Sequence, residues 1–130
     1  MKITGKFDVQ LEPLESYAQG EDGMQLGRMA IDKTFHGELS AISKGEMLSV
    51  QTTVKGSAGY VAIEQVSGIL SGKKGSFVLQ HFATIMTGEK RMILEVVPDS
   101  GSGQLEGLSG KMLIIIKEGE HNYEFNYQLI

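Results

Sequence analysis

The chain has 130 residues, with 41% hydrophobic and 22% charged side chains. That is enough for a single domain with its own core, and one β-barrel domain spanning 1–130 is expected. Net charge is -4 with no basic stripe, which argues against nucleic acid as a partner. There is no cysteine, so disulfides and thiolate metal sites are excluded. Glycine is frequent (17) and proline rare (2), a balance that suits many tight turns rather than disorder. The start of the chain alternates and lacks a continuous apolar run, so no signal peptide is expected. The longest apolar run, Met112 to Ile116, is too short to span a bilayer as a helix, and a cytoplasmic protein without membrane partners is the expectation.

Residues 2–12 alternate, with Ile3, Phe7, Val9 and Leu11 on one face and Thr4, Lys6, Asp8 and Gln10 on the other. A period of two marks a half-buried strand. Pro13 ends regular pairing or marks an edge. The polar, acidic segment 16–25 reads as a loop at one end of the fold. Alternation resumes from Leu26 to Ser43 through Met29, Ile31, Phe35, Gly37, Leu39 and Ala41. Ser43-Lys44-Gly45-Glu46 has the composition of a turn, and 46–54 that of a β-branched strand. Turns at Lys55–Ser57, Gly72-Lys73, Gly88-Glu89 and Glu118–Glu120 separate further strands. A loop is expected at Pro98–Gly103, and the strand region 104–117 is open to a break at Gly107 or Gly110. In the last strand Tyr123, Phe125, Tyr127 and Leu129 share a face, which reads as core.

Gly37-x-Leu, Gly68-x-Leu and Gly103-x-Leu form a weak internal repeat. Two readings stand: glycines that bend the sheet of a small barrel, or the general similarity of glycine-rich turns. No stretch has a helical face of three turns. The expected fold is therefore all-β, an antiparallel barrel of about eight strands, which encloses either packed side chains or one small ligand.

The stretch Gly59–Phe82 carries the candidate site. With Gly72-Lys73 as a two-residue turn, Glu64 stands directly opposite His81 and Gly68 opposite Phe77. Tyr60, Ala62, Val66, Leu79 and Ala83 share the face of Glu64 and His81, while Gln80 falls on the other. That other face, with Val61, Ile63, Ile69, Val78, Phe82 and Met86, is also apolar. A strand apolar on both sides is buried on both, so a second sheet or another subunit should cover it, and a homo-oligomer is expected. A buried carboxylate needs a partner or a proton. Glu64 and His81 are thus candidates for acid/base work, or a satisfied structural pair without chemistry. Tyr60, Glu64, Phe77, Leu79 and His81 are the candidate ligand-binding residues. His36, His81 and His121 lack metal-motif spacing, so no metal or other cofactor is expected.

GYVAIEQVSGILSGKKGSFVLQH, VVPDSGSGQLEGLSGKMLIII and TFHGELSA resemble segments of a bacterial family of unknown function. The resemblance implies a small, calycin-like barrel similar to that of allene oxide cyclase, often oligomeric. Allene oxide cyclase isomerises an unsaturated fatty-acid epoxide in its barrel without a cofactor, and no catalytic residue is carried over from it to a position here. Three functions remain in view: a barrel binding a small apolar or amphipathic molecule, a cofactor-free isomerase or cyclase in which Gln80 or Tyr60 orients the substrate, and a structural oligomer with a filled core.

Overall fold

A computed structural model describes all 130 residues. Nine strands follow one another without a helix: β1 (Lys2–Leu14), β2 (Gln25–Gly37), β3 (Leu39–Gln51), β4 (Ala58–Leu70), β5 (Lys73–Met86), β6 (Glu89–Val96), β7 (Ser102–Gly103), β8 (Leu108–Lys117) and β9 (Glu120–Leu129). Every pairing is antiparallel. The sheet order β4-β3-β2-β1-β9-β8-β6-β5 closes through the β4–β5 hairpin, which makes an eight-stranded barrel. The two-residue β7 is an addition on β5. The barrel expected from period-two patterning and short connections is the fold observed.

Alternate residues point inward and pack a cluster of 16 buried side chains, among them Phe7, Phe35, Phe77, Tyr123 and Phe125. Phe77 stacks on Phe125 with ring centroids 5.9 Å apart, and Phe35 meets Tyr123 edge-on at 5.6 Å. The three leucines of the weak repeat, Leu39, Leu70 and Leu105, are each 1% exposed. Leu39 and Leu70 are cross-strand partners, and Leu105 packs over Gly75, itself paired with Gly68. Their glycines differ, because Gly37 and Gly103 have positive φ and Gly68 does not. The repeat therefore records three leucines plugging one end of the barrel rather than a repeated backbone.

Several turns lie elsewhere than expected. Strand β3 runs through 43–46 without a turn, and the reversal occurs at Gly37–Glu38, where Gly37 has φ 109°. Gly45 sits mid-strand because β4 approaches it closely. A Cβ there would lie 2.1 Å from the Ile63 carbonyl oxygen and 2.6 Å from Glu64 Cα. Three hairpins turn on an X-Gly pair rather than Gly-X: Ser71-Gly72, Thr87-Gly88 and Glu118-Gly119. Both residues of each pair have positive φ, the type I′ geometry whose twist matches that of the flanking strands. The expected turns at Gly72-Lys73 and Gly88-Glu89 are thus each one residue late. Region 104–117 breaks at Gly107, where φ is 87°. Pro13 pairs with Met29, but β1 meets β9 only over Lys2–Lys6, so Pro13 lies on a locally free edge where its missing N–H costs nothing.

Candidate functional site

The one-residue displacement of the β4–β5 turn moves the register by two. Glu64 stands opposite Leu79, His81 opposite Ala62, and Gly68 opposite Gly75 rather than Phe77. Because the shift is even, Glu64 and His81 remain on one face as diagonal neighbours. That face is the interior: Glu64 is 0% exposed and His81 5%. His81 Nε2 lies 2.5 Å from Glu64 Oε2.

Two further residues join them that sequence patterning did not single out. Lys33 of β2, 6% exposed, donates from Nζ to Glu64 Oε2 at 2.9 Å. Ser43 of β3 donates to Glu64 Oε1 at 2.8 Å. The register explains the convergence. Lys33 pairs with Ser43, Ser43 with Val66, and Glu64 with Gly45, so the four side chains enter from adjacent strands at one level. The bare Gly45 leaves Glu64 the space to turn inward. A signal for Lys33 was present: it shares a face with Ile31 and Phe35, where a lysine breaks the apolar series.

Burial by itself would raise the Glu64 pKa. The His81 hydrogen bond and the Lys33 charge outweigh it and hold the carboxyl down at about 2. Glu64 is therefore ionised and can only accept hydrogen bonds. His81 must then carry its proton on Nε2, which leaves Nδ1 as a lone pair in the neutral ring. Nδ1 has no protein partner, and no buried side-chain nitrogen or oxygen lacks one, so Nδ1 is reachable by solvent. The Lys33 ammonium also lies over the rings of Phe7 and Phe35, 5.2 and 5.9 Å from their centroids.

A cavity of ≈ 180 Å³ opens above this cluster, at the end of the barrel opposite the leucine plug. Lys33, Tyr60 and His81 line it with Lys90 and His121, set among apolar groups such as Val9, Ile31 and Ile114. Glu64 lies behind Lys33 and His81 and does not reach it. Phe77 and Leu79 pack deeper, in the core. Gln80 is exposed on the outer face. His36 is also outside, bonded to Asp8 at 2.9 Å.

The cavity mouth has a structural cause. Beyond Glu95↔Lys111, β8 no longer pairs with β6, and beyond Lys6↔Asn122, β9 no longer pairs with β1. The backbone of the β8–β9 hairpin tip is thereby paired only between its own two strands, while side chains tie it to β1 through the Lys6–Glu120 ion pair at 3.0 Å and the Phe7–His121 ring contact; Ile114, Ile116 and His121 project from it over the opening.

Residues 3–127 match the model of a family described as protein of unknown function, DUF3224. The chain is similar in structure to a DUF3224 protein of unknown function from Shewanella oneidensis MR-1, known from its crystal structure. The TM-score is 0.97 at 60% sequence identity, over 100% of this chain and 98% of that one. No curated protein matches. With a family model spanning nearly its whole length and a close structural relative from the same family, the chain belongs to the DUF3224 family.

Proposed function

We propose that this protein is a binding barrel that holds one small apolar or amphipathic molecule in the cavity at its open end. The observation that carries this reading is the contrast between the two ends. One is plugged inside by Leu39, Leu70 and Leu105, and the ≈ 440 Å³ groove at that end lies between Leu70, Ser71, Tyr127 and the chain termini Met1 and Ile130 with no histidine in it, while the other keeps ≈ 180 Å³ of space beside a few oriented polar groups. A mostly apolar cavity with few fixed polar groups is the general form of a small-molecule site. Tyr60 and His81 are its ligand contacts among the residues singled out by sequence, and Lys33 joins them. Native mass spectrometry of freshly purified protein should show a bound species of low mass, lost in Ala62→Phe, whose ring would occupy the cavity. A wild-type mass equal to the bare chain, with no retained molecule after extraction, would remove the reading.

A second reading, cofactor-free acid/base catalysis, is favoured by the fixed tautomer of His81. Its solvent-reachable Nδ1 has the form of a general base, with Glu64 as the positioning residue behind it. Lys33 would face negative charge developing on a carbonyl oxygen. The barrel is here taken to be calycin-like and akin to that of allene oxide cyclase, an enzyme that isomerises without a cofactor. Exchange of carbon-bound hydrogen for deuterium in small keto acids, followed by proton NMR, should be faster with wild type than with His81→Gln. Equal rates would eliminate this reading. Both readings place the protein in the cytoplasm, as a homo-oligomer joined through its apolar outer face.

A further inference from the structure

We infer that the occupant of the cavity is an anion: a carboxylate or phosphate head on a short apolar body. This rests on the proposed binding function and narrows it. The chain as a whole is acidic, with 16 Asp and Glu against 12 Lys and Arg. The cavity reverses that balance. Of its 13 lining residues nine are apolar, and the other four are Lys33, His81, Lys90 and His121. No carboxylate faces it, and two of the three histidines in the chain do.

Glu64 does not neutralise this arrangement from the ligand's side. Its carboxylate lies behind the cavity wall and occupies one of the three donors of the Lys33 ammonium. The remaining donors make no hydrogen bond within the protein, and the ammonium lies over the rings of Phe7 and Phe35. Ring faces stabilise the charge but leave the N–H groups free for a stronger acceptor. Lys90 adds a second cation at the rim, with Nζ 5.4 Å from the centroid of Tyr60. With Lys33 balanced by Glu64, the rim lysine leaves the mouth net positive even with both histidines neutral. Apolar walls around such charges lower the local dielectric and lengthen the reach of the field. A cation entering here would meet only like charge, and a neutral oxygen could accept from Lys33 but would gain nothing from the net positive charge of the mouth and only a weaker hydrogen bond than an anion makes.

The volume limits the body. A space of ≈ 180 Å³ holds about six water-sized groups, so the apolar portion that fits inside is short and any longer chain must leave through the mouth. The head belongs at the floor, near Lys33 and His81, with the body against Val9, Ile31 and Ile114.

Titration of isotope-labelled protein with hexanoate, hexyl phosphate, hexan-1-ol and hexylamine, followed by amide NMR, tests the assignment. At least one of the two anions should bind about tenfold or more tightly than the alcohol, with shifts centred on Lys33, His81 and His121, and the amine should bind worst. The tighter anion identifies the head group. Lys90→Met, at an exposed position, should narrow the gap between anion and alcohol without a change in fold. The double variant Lys33→Met/Glu64→Gln removes the buried charges together and should abolish the gap while alcohol binding persists. Alcohol binding as tight as either anion in wild type would overturn the anion assignment and leave the binding barrel standing. Failure of all four probes to perturb the cavity residues would overturn both.

Discussion

Below about pH 4.5 the unfolded chain takes up a proton at Glu64 that the folded chain refuses until about pH 2. A depressed carboxyl contributes stability above its unfolded pKa and loses it as pH falls through the folded one. For Glu64 the contribution is of order 3 kcal/mol, present at neutral pH and lost between about pH 4.5 and 2. Urea unfolding across that range should show wild type losing more stability than Glu64→Gln. Parallel curves for the two proteins would mean that the interior carboxylate is not held by its partners as described. The pairing of Glu64 with His81 was legible in sequence because any even register shift keeps two residues on the same face. Their exact apposition was not, since it depended on whether Gly72 comes first or second in its turn. Ser43 was hidden for a different reason. Ser-Lys-Gly-Glu has turn composition, yet Gly45 serves close approach to Glu64 rather than chain reversal.

At the level of strands, Gly45 is the position where β3 yields to β4. Alanine there places a methyl group 2.1 Å from the Ile63 carbonyl oxygen, and that atom belongs to a backbone paired on both sides. Gly45→Ala should cost about 2 kcal/mol or more, as overpacking of rigid neighbours does. Gly59→Ala is the control in the adjacent strand: its new Cβ finds nothing closer than 3.6 Å and should be nearly neutral. Thermal melting of both variants measures the difference, and equal melting temperatures would contradict the close approach. Strand existence was readable because alternation is local. The hairpin reversals were less so, since the type I′ conformation appears in the sequence only as Ser-Gly, Thr-Gly and Glu-Gly, none of them the favoured Asn-Gly.

For the molecule as a whole, the outer wall poses the question of assembly. Leu48, Val61, Phe82 and Ile93 are direct cross-strand neighbours from β3 to β6 and form one exposed row, each between 39% and 55% exposed. Ile63 at 56% widens it. No helix or second sheet covers these residues. A second copy would remove them from water, and this is the basis of the proposed homo-oligomer. Light scattering should give a mass above that of one chain for wild type and the mass of one chain for Val61→Glu, which sets a charge in the middle of the row. A monomeric wild type at micromolar concentration would end the proposal. Two-sided apolar strands were visible in the sequence, but which side faced inward was not, because Val61 and Ile63 are as apolar as Ala62 and Val66. Closure decides it: the inner face is the one whose glycines, Gly45, Gly68 and Gly75, let the wall curve.

The two seams that stop short beside the β8–β9 hairpin also bear on how anything reaches the interior. Backbone amides on the free sides of that hairpin lack the ladder partners that hold β3 and β4 together along their whole length. Hydrogen exchange should therefore be fast from Leu113 to His121 and slow from Ala41 to Leu48, the sign of a local opening that costs far less than global unfolding. If that opening admits the occupant, its rate of entry follows the exchange rate of the hairpin tip rather than diffusion through a fixed hole. A disulfide tying the tip to β1 would then slow association and dissociation together and leave the affinity almost unchanged.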